Sequence, residues 1–288
     1  MRVLVLGATG MLGHKLVETL SPDFEVIATR RRGAVEPTTA KGVRMVEGVD
    51  VLDRSAIAGL IAAQRPDAVL NAVGVVKQIT DAVNTSEIIA INSMLPNLLA
   101  EVCSVAGCRL IHFSTDCVFT GARDSIRGAD GYREQDPPDA RDLYGLSKLL
   151  GESRTPGCLT LRTSIIGPEL RGRYGLLEWF LAQGDATVLG FSKALFTGLP
   201  TVILAEIVAT ILTKHASLEG LYHVAVTPIS KYELLNLFGD AYDRSTSIIE
   251  DSKLYCDRRL DGAQLANAIG WSAPAWPELV RRMRDDSP

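Results

Sequence analysis

Cysteine is scarce: five residues, Cys103, Cys108, Cys117, Cys158 and Cys256, in a chain of 288. Their number is odd, no Cys-x-x-Cys occurs and the spacing shows no pairing rhythm. That excludes a disulfide scaffold and predicts reduced thiols in a cytoplasmic protein. No histidine accompanies them in a ligand pattern, so no metal is expected. Positive charge is not in excess either: 30 Lys and Arg stand against 34 Asp and Glu, a net charge of −4. A protein that grips nucleic acid by bulk charge is thereby disfavoured. Long apolar runs are missing as well. The longest, residues 199–212, carries Glu206 and is too short to cross a bilayer. The apolar start meets Gly7 at once, without the longer core and cleavage site of a signal peptide. Neither repeats nor low-complexity tracts are visible. What remains is 47% apolar and 22% charged, ample material for a buried core.

The first half alternates short Val-, Ile- and Leu-rich runs with helical patterns. Residues 3–6, 25–28, 43–47, 68–71 and 109–113 read as buried strands, and 11–20, 54–64 and 86–106 as helices. This rhythm predicts an α/β protein with a Rossmann-type, doubly wound parallel sheet. Residues 121–142, with Pro137-Pro138, read as a long loop, and Asp142 as the cap of the helix that follows. After about residue 165 the rhythm loosens. Helical patterns recur at 175–182, 201–214, 231–242, 262–269 and 277–284, with short strands at 186–189 and 221–224. The expected division is a Rossmann domain over 1–165 and a smaller, mostly helical substrate lobe over 166–288, some of whose segments return to the main sheet.

Gly7-Ala8-Thr9-Gly10-Met11-Leu12-Gly13 joins the first strand to the first helix. Glycines at 7, 10 and 13 suit a tight turn, close backbone approach to a pyrophosphate, and close packing of helix on strand. The helix N-terminus offers free N–H groups to the phosphates. The second strand ends in Thr29-Arg30-Arg31-Arg32, with no carboxylate for a ribose 2′-hydroxyl. Guanidinium groups there suit a 2′-phosphate, so the expected cofactor is NADP(H). Asp50 and Val51 follow the third strand and border the adenine, and Asn71, Ala72 and Val73 follow the fourth, where the cofactor passes. Ser114 and Thr115 close the fifth strand. Downstream, Tyr144 and Lys148 share one helical face. A tyrosine titrates near pH ~10, and a neighbouring ammonium lowers that value toward useful acid–base work.

Together these stretches resemble the extended short-chain dehydrogenase/reductase superfamily, in particular its nucleotide-sugar 4-ketoreductases of the dTDP-4-dehydrorhamnose reductase type. The resemblance rests on residues 7–13, 114–119, 144–148 with Gly151-Glu152, and 161–164, and more loosely on 220–224 and Leu260-Asp261. It implies an NADPH-dependent oxidoreductase acting on a 4-keto-6-deoxy nucleotide sugar, in deoxysugar or surface-polysaccharide biosynthesis. By that resemblance Tyr144 protonates the carbonyl oxygen, Lys148 holds the nicotinamide ribose and tunes Tyr144, and Thr115 hydrogen-bonds the substrate oxygen. Asn92 either supports a water relay or braces the sheet. Arg171, Arg173, Lys193 and Arg258 are either diphosphate contacts or surface charges. The expected partner is a small nucleotide-sugar substrate, with no nucleic acid and no membrane, and with room for a homodimer. Cys117 stands where dehydratases of the group carry Glu, and the arginine-rich turn disfavours an NAD-retaining epimerase. An NADP-binding regulatory subunit, like that of methionine adenosyltransferase, is the remaining alternative.

Overall fold

The computed structural model describes residues 1–31, 42–122 and 131–287. Arg32 and part of the expected long loop lie outside the described residues. The first half contains strands β1 (Arg2–Leu6), β2 (Glu25–Arg30), β3 (Arg44–Glu47), β4 (Ala68–Asn71), β5 (Arg109–Thr115) and β6 (Cys158–Thr163). Its helices are α1 (Met11–Leu20), α2 (Arg54–Gln64), α3 (Thr85–Ile89), α4 (Leu95–Ala106) and α5 (Leu143–Leu150). The second half adds β7 (Ile165–Ile166), α6 (Leu176–Leu181), β8 (Thr187–Phe191), β9 (Ala194–Phe196), β10 (Leu199–Pro200), α7 (Thr201–Lys214) and β11 (Gly220–His223). It closes with β12 (Ile229–Ser230), α8 (Lys231–Ala241), β13 (Ser247–Asp251), β14 (Cys256–Asp257), α9 (Ala263–Ile269) and α10 (Trp276–Asp285).

Seven strands form one parallel sheet in the order β11-β6-β5-β4-β1-β2-β3. The alternation of side chains along β1 feeds both faces. Val3 and Val5 join Leu16, Ile203, Ile207 and Ile211 under α1 and α7. Leu4 and Leu6 join Ile57, Ile61, Leu95 and Leu99 under α2 and α4. Each such side chain withdrawn from water contributes roughly 1.5–3 kcal/mol, which is why continuous apolar runs settle as central parallel strands. The strand order reverses between β1 and β4, so the carboxyl ends of these strands open a crevice, the usual ligand position of doubly wound sheets.

Residues 86–106 were expected as one helix. The structure instead carries a π-turn at Ala90–Met94 between α3 and α4, with the Leu95 N–H bonded to the Ala90 carbonyl. The cause lies in the sequence: Pro96 has no N–H to give the Asn92 carbonyl, and the ladder skips a residue there. The run Thr85–Ala106 has the length and hydropathy to cross a membrane, but half of it is buried inside the protein. It is a core helix packed on α2, α5 and β5.

Beyond residue 165 the chain stays joined to the first half. β11 extends the main sheet beside β6, and α7 lies against α1. A smaller layer pairs β8 with β13 and sets β9 between β12 and β14, with α8 packed on it. Most of these strands escape sequence reading because they span two to five residues, too few to show a period. Asp142 caps α5 as expected, accepting from the Gly145 N–H at 2.7 Å.

Candidate active site

The glycine turn is built by steric necessity. Gly7 has φ +81°, and a Cβ there would meet the Ala72 carbonyl at 3.0 Å. A Cβ on Gly13 would sit 2.0 Å from the Gly7 oxygen. Gly10 differs: its nearest obstacle is 3.5 Å away, so its outer side is open to a ligand. Helix α1 starts with no side-chain cap and no acid in its first turn. Its N–H groups and partial positive charge are left for an anion.

The crevice is a cleft of about 520 Å³. Thr9, Gly10, Met11 and Leu12 line it from α1, Asn71, Ala72 and Val73 from the end of β4, Thr115 from β5, and Tyr144 and Lys148 from α5. Gly7 and Gly13 build the turn without lining the cleft. The remaining expected cofactor residues also lie outside it. Thr29 is buried and its hydroxyl accepts from the Gly7 N–H at 3.3 Å, so its side chain braces the turn. Arg31 is exposed at the end of β2. Arg30 corrects the picture of a strand end without a carboxylate, for it forms an ion pair with Glu47 of β3. Pairing of β2 with β3, register Arg30 to Glu47, brings that carboxylate in. Asp50 accepts from the Leu52 N–H at 2.9 Å, a local turn contact that precedes α2, and Val51 packs on the apolar face beneath.

At the β4 end, Asn71 bonds His112 at 3.1 Å and accepts from the Val73 N–H, shaping the chain that passes the cleft. Asn92, next to the π-turn, is a brace. Its amide clasps Val75 through both backbone groups, at 2.9 and 3.0 Å, and donates to Ser147 of α5 at 3.1 Å.

Tyr144 and Lys148 occupy one face of α5, but the expected tuning is not what the structure shows. Burial pushes the Tyr144 phenol up from its ordinary value, and the neighbouring Cys117 adds to that. The nearby Thr115 hydroxyl works the other way. Lys148 donates to the Phe113 carbonyl at 2.6 Å, and burial lowers its ammonium to about 8 while Glu152 pulls it up. The i,i+4 spacing thus sets proximity, while the direction of the lysine's hydrogen bond decides its electrostatic effect. Tyr144 stays a phenol at neutral pH, the form that a proton donor requires.

Behind this wall lies a buried ion pair. Arg162 and Glu152 meet at 2.7 Å with side chains only 3% and 9% exposed. Ser114 donates to the same carboxylate at 2.6 Å.

Sequence reading missed part of the facing wall. Asp116, Cys117, Lys231, Cys256 and Arg258 all line the cleft. Burial raises the Asp116 carboxyl against the pull of Arg258, raises the Cys117 thiol to about 12, and lowers Lys231 to about 8. Arg258, weighed as either a diphosphate contact or a surface charge, is half-buried and donates to the Phe119 carbonyl at 2.9 Å. Arg171 also lines the cleft, whereas Arg173 and Lys193 do not. No group of three or more metal-ligating side chains occurs among the described residues.

A family model described as RmlD substrate binding domain matches residues 1–252. A dTDP-4-dehydrorhamnose reductase of Streptomyces griseus is 33% identical over 156 residues, 52% of this chain and 43% of that protein, so the match spans less than half of that relative. A probable low-salt glycan biosynthesis reductase, Agl14, of Haloferax volcanii is 29% identical over 294 residues, covering 95% of this chain and 94% of that one. Among solved structures, a dTDP-4-dehydrorhamnose reductase of Bacillus anthracis in complex with NADP has a TM-score of 0.78 at 19% identity, over 99% of both chains. That last likeness is one of fold. The glycine turn, the β5 edge and the Tyr–Lys helix all fall within the span that the family model matches, and the chain belongs to the RmlD substrate binding domain family.

Proposed function

We propose that the chain is an NADPH-dependent reductase of a 4-keto-6-deoxy nucleotide sugar, of the dTDP-4-dehydrorhamnose reductase type, serving deoxysugar or surface-polysaccharide biosynthesis. The observation that carries this reading is one cleft with Tyr144, Thr115 and Lys148 on its wall and the uncapped α1 N-terminus at its other end. The open side of Gly10 fits a pyrophosphate, and the strand-end cations Arg30 and Arg31 suit a 2′-phosphate, with Arg30 also paired to Glu47. A reduced nicotinamide supplies the hydride. Tyr144 gives its proton to the ketone oxygen as negative charge grows there. Thr115, beside Tyr144 on the cleft wall and held by the Cys117 N–H at 3.1 Å, positions that oxygen. Lys148 holds ribose hydroxyls and lends positive charge. The related regulatory subunits and the epimerases are separated from this reading by a single measurement: NADPH consumption with a panel of 4-keto nucleotide sugars.

Two outcomes follow from the cofactor assignment. Gly13→Ala weakens NADPH binding roughly tenfold to a hundredfold, because the new methyl forces α1 or the turn to shift by about 1 Å; fluorescence titration of NADPH checks it. Arg30→Ala raises the KM for NADPH about 10- to 100-fold, the loss of a charge-assisted contact, and leaves the KM for NADH nearly unchanged. Equal changes with both cofactors contradict the 2′-phosphate assignment.

A further inference from the structure

Lys231 is the first residue of α8, fixed there by a full capping box between Ser230 and Glu233. The position is electrostatically poor for a cation, since the helix N-terminus is itself partly positive. The lysine is half-buried in the cleft wall, with its Nζ 3.9 Å from the centre of the Phe196 ring. Among the described residues its Nζ has no hydrogen-bond or ion-pair partner. An ammonium on the cleft wall with three donors and only a ring face for company is placed to meet an acceptor on a ligand in the cleft. Glu233, the nearest acid along the helix, is taken by the Ser230 N–H and hydroxyl at 3.0 and 2.7 Å. The charge that attracts Lys231 most is Asp116, which lines the same cleft.

Asp116 fixes the end of the ligand that Lys231 meets. It follows Thr115 directly and accepts the Thr115 hydroxyl at 3.2 Å, so it stands beside the oxygen undergoing reduction. A phosphate between Asp116 and Lys231 would face the carboxylate. A hydroxyl suits both, because it donates to the one and accepts from the other. In a 4-keto-6-deoxy sugar the reacting carbon has two ring neighbours. One, C3, carries a hydroxyl, and the other, C5, carries the methyl group.

Resting on the ketoreductase reading above, we propose that Lys231 and Asp116 together read the C3 hydroxyl of the sugar, Lys231 as donor and Asp116 as acceptor. The residue therefore selects substrates that carry an oxygen beside the ketone. It takes no part in proton transfer to C4.

The test is calorimetric and needs no turnover. The NADPH-loaded chain, Lys231→Met and Lys231→Arg are titrated with a thymidine-diphosphate 6-deoxy sugar, its 3-deoxy analogue and thymidine diphosphate alone. Lys231→Met is expected to weaken the 6-deoxy sugar nucleotide about 10- to 100-fold, to leave the 3-deoxy analogue and thymidine diphosphate unchanged, and to keep NADPH binding. Lys231→Arg recovers part of the loss. An equal loss for thymidine diphosphate would mean that Lys231 holds phosphate, and it overturns the proposal. Unchanged sugar-nucleotide affinity in Lys231→Met overturns it too. Should the wild-type chain bind NADPH and no sugar nucleotide at all, the ketoreductase reading itself fails, and this inference with it.

Discussion

Tyr144→Phe lowers ketone reduction by roughly 10²–10⁴-fold, the usual contribution of a positioned proton donor, and leaves NADPH affinity intact. The ring remains to fill its place in the cleft wall, and only the hydroxyl is lost. The geometry explains why no neighbour substitutes for it. Thr115 is a poor acid, and its hydroxyl already serves the Cys117 N–H and Asp116 at 3.1 and 3.2 Å. Cys117 is held as a thiol by burial, its value pushed up to about 12. Lys148 is anchored by one of its N–H groups to the Phe113 carbonyl at 2.6 Å. Stopped-flow decay of NADPH absorbance separates the chemical step from binding. Turnover within a factor of a few of wild type in Tyr144→Phe refutes the assignment of the donor.

Glu152→Ala destabilises the fold by about 3–5 kcal/mol, the cost of leaving a buried charge without its partner. Arg162 is the stranded group. Its guanidinium makes two contacts of 2.7 Å with Glu152 and one of 3.3 Å with His223 Nε2, and it lies 5.3 Å over the Phe119 ring. His223 can replace none of the lost charge. Burial and Arg162 hold it neutral, with its titration lowered to about 4, and its Nδ1 donates to the Tyr132 carbonyl at 3.1 Å. The loss also reaches the cleft, because Ser114 loses its acceptor and Lys148 the carboxylate that supports its charge. Urea unfolding of Glu152→Ala, Arg162→Met and the double variant measures the effect. The double variant is expected to recover much of the loss, since no unpaired charge remains. A single-variant loss under about 1 kcal/mol would place the pair in the class of weak surface bridges.

The elements legible in the sequence are those whose cause is local. Residues 7–13 announce themselves because glycine is needed within a few residues of a strand end and a helix start. Tyr144 and Lys148 are legible because one helical turn sets them together. The π-turn at Ala90–Met94 had a local cause in Pro96, yet apolar periodicity runs through it unbroken and conceals it. The carboxylate beside Arg30 was not legible for a different reason: Glu47 becomes its neighbour only through the register of β2 on β3. Lys231 and Arg258 enter the cleft from α8 and the stretch after β14, brought there by the packing of short strands that carry no pattern of their own. The acidity of Tyr144 was misjudged in sign, because spacing along a helix reports which groups are near and says nothing of where a flexible ammonium sends its proton.

The position of β11 has a consequence for building hybrids of this chain with its relatives. That strand forms four residue pairs with β6, and α7 shares the apolar layer of α1. A crossover at residue 165 would graft one parent's outer strand and cover helix onto another parent's sheet, mismatching surfaces that matured together. Exchanging only the cleft-lining stretches beyond β7, and retaining α7 and β11 from the recipient, transfers ligand preference without disturbing the scaffold.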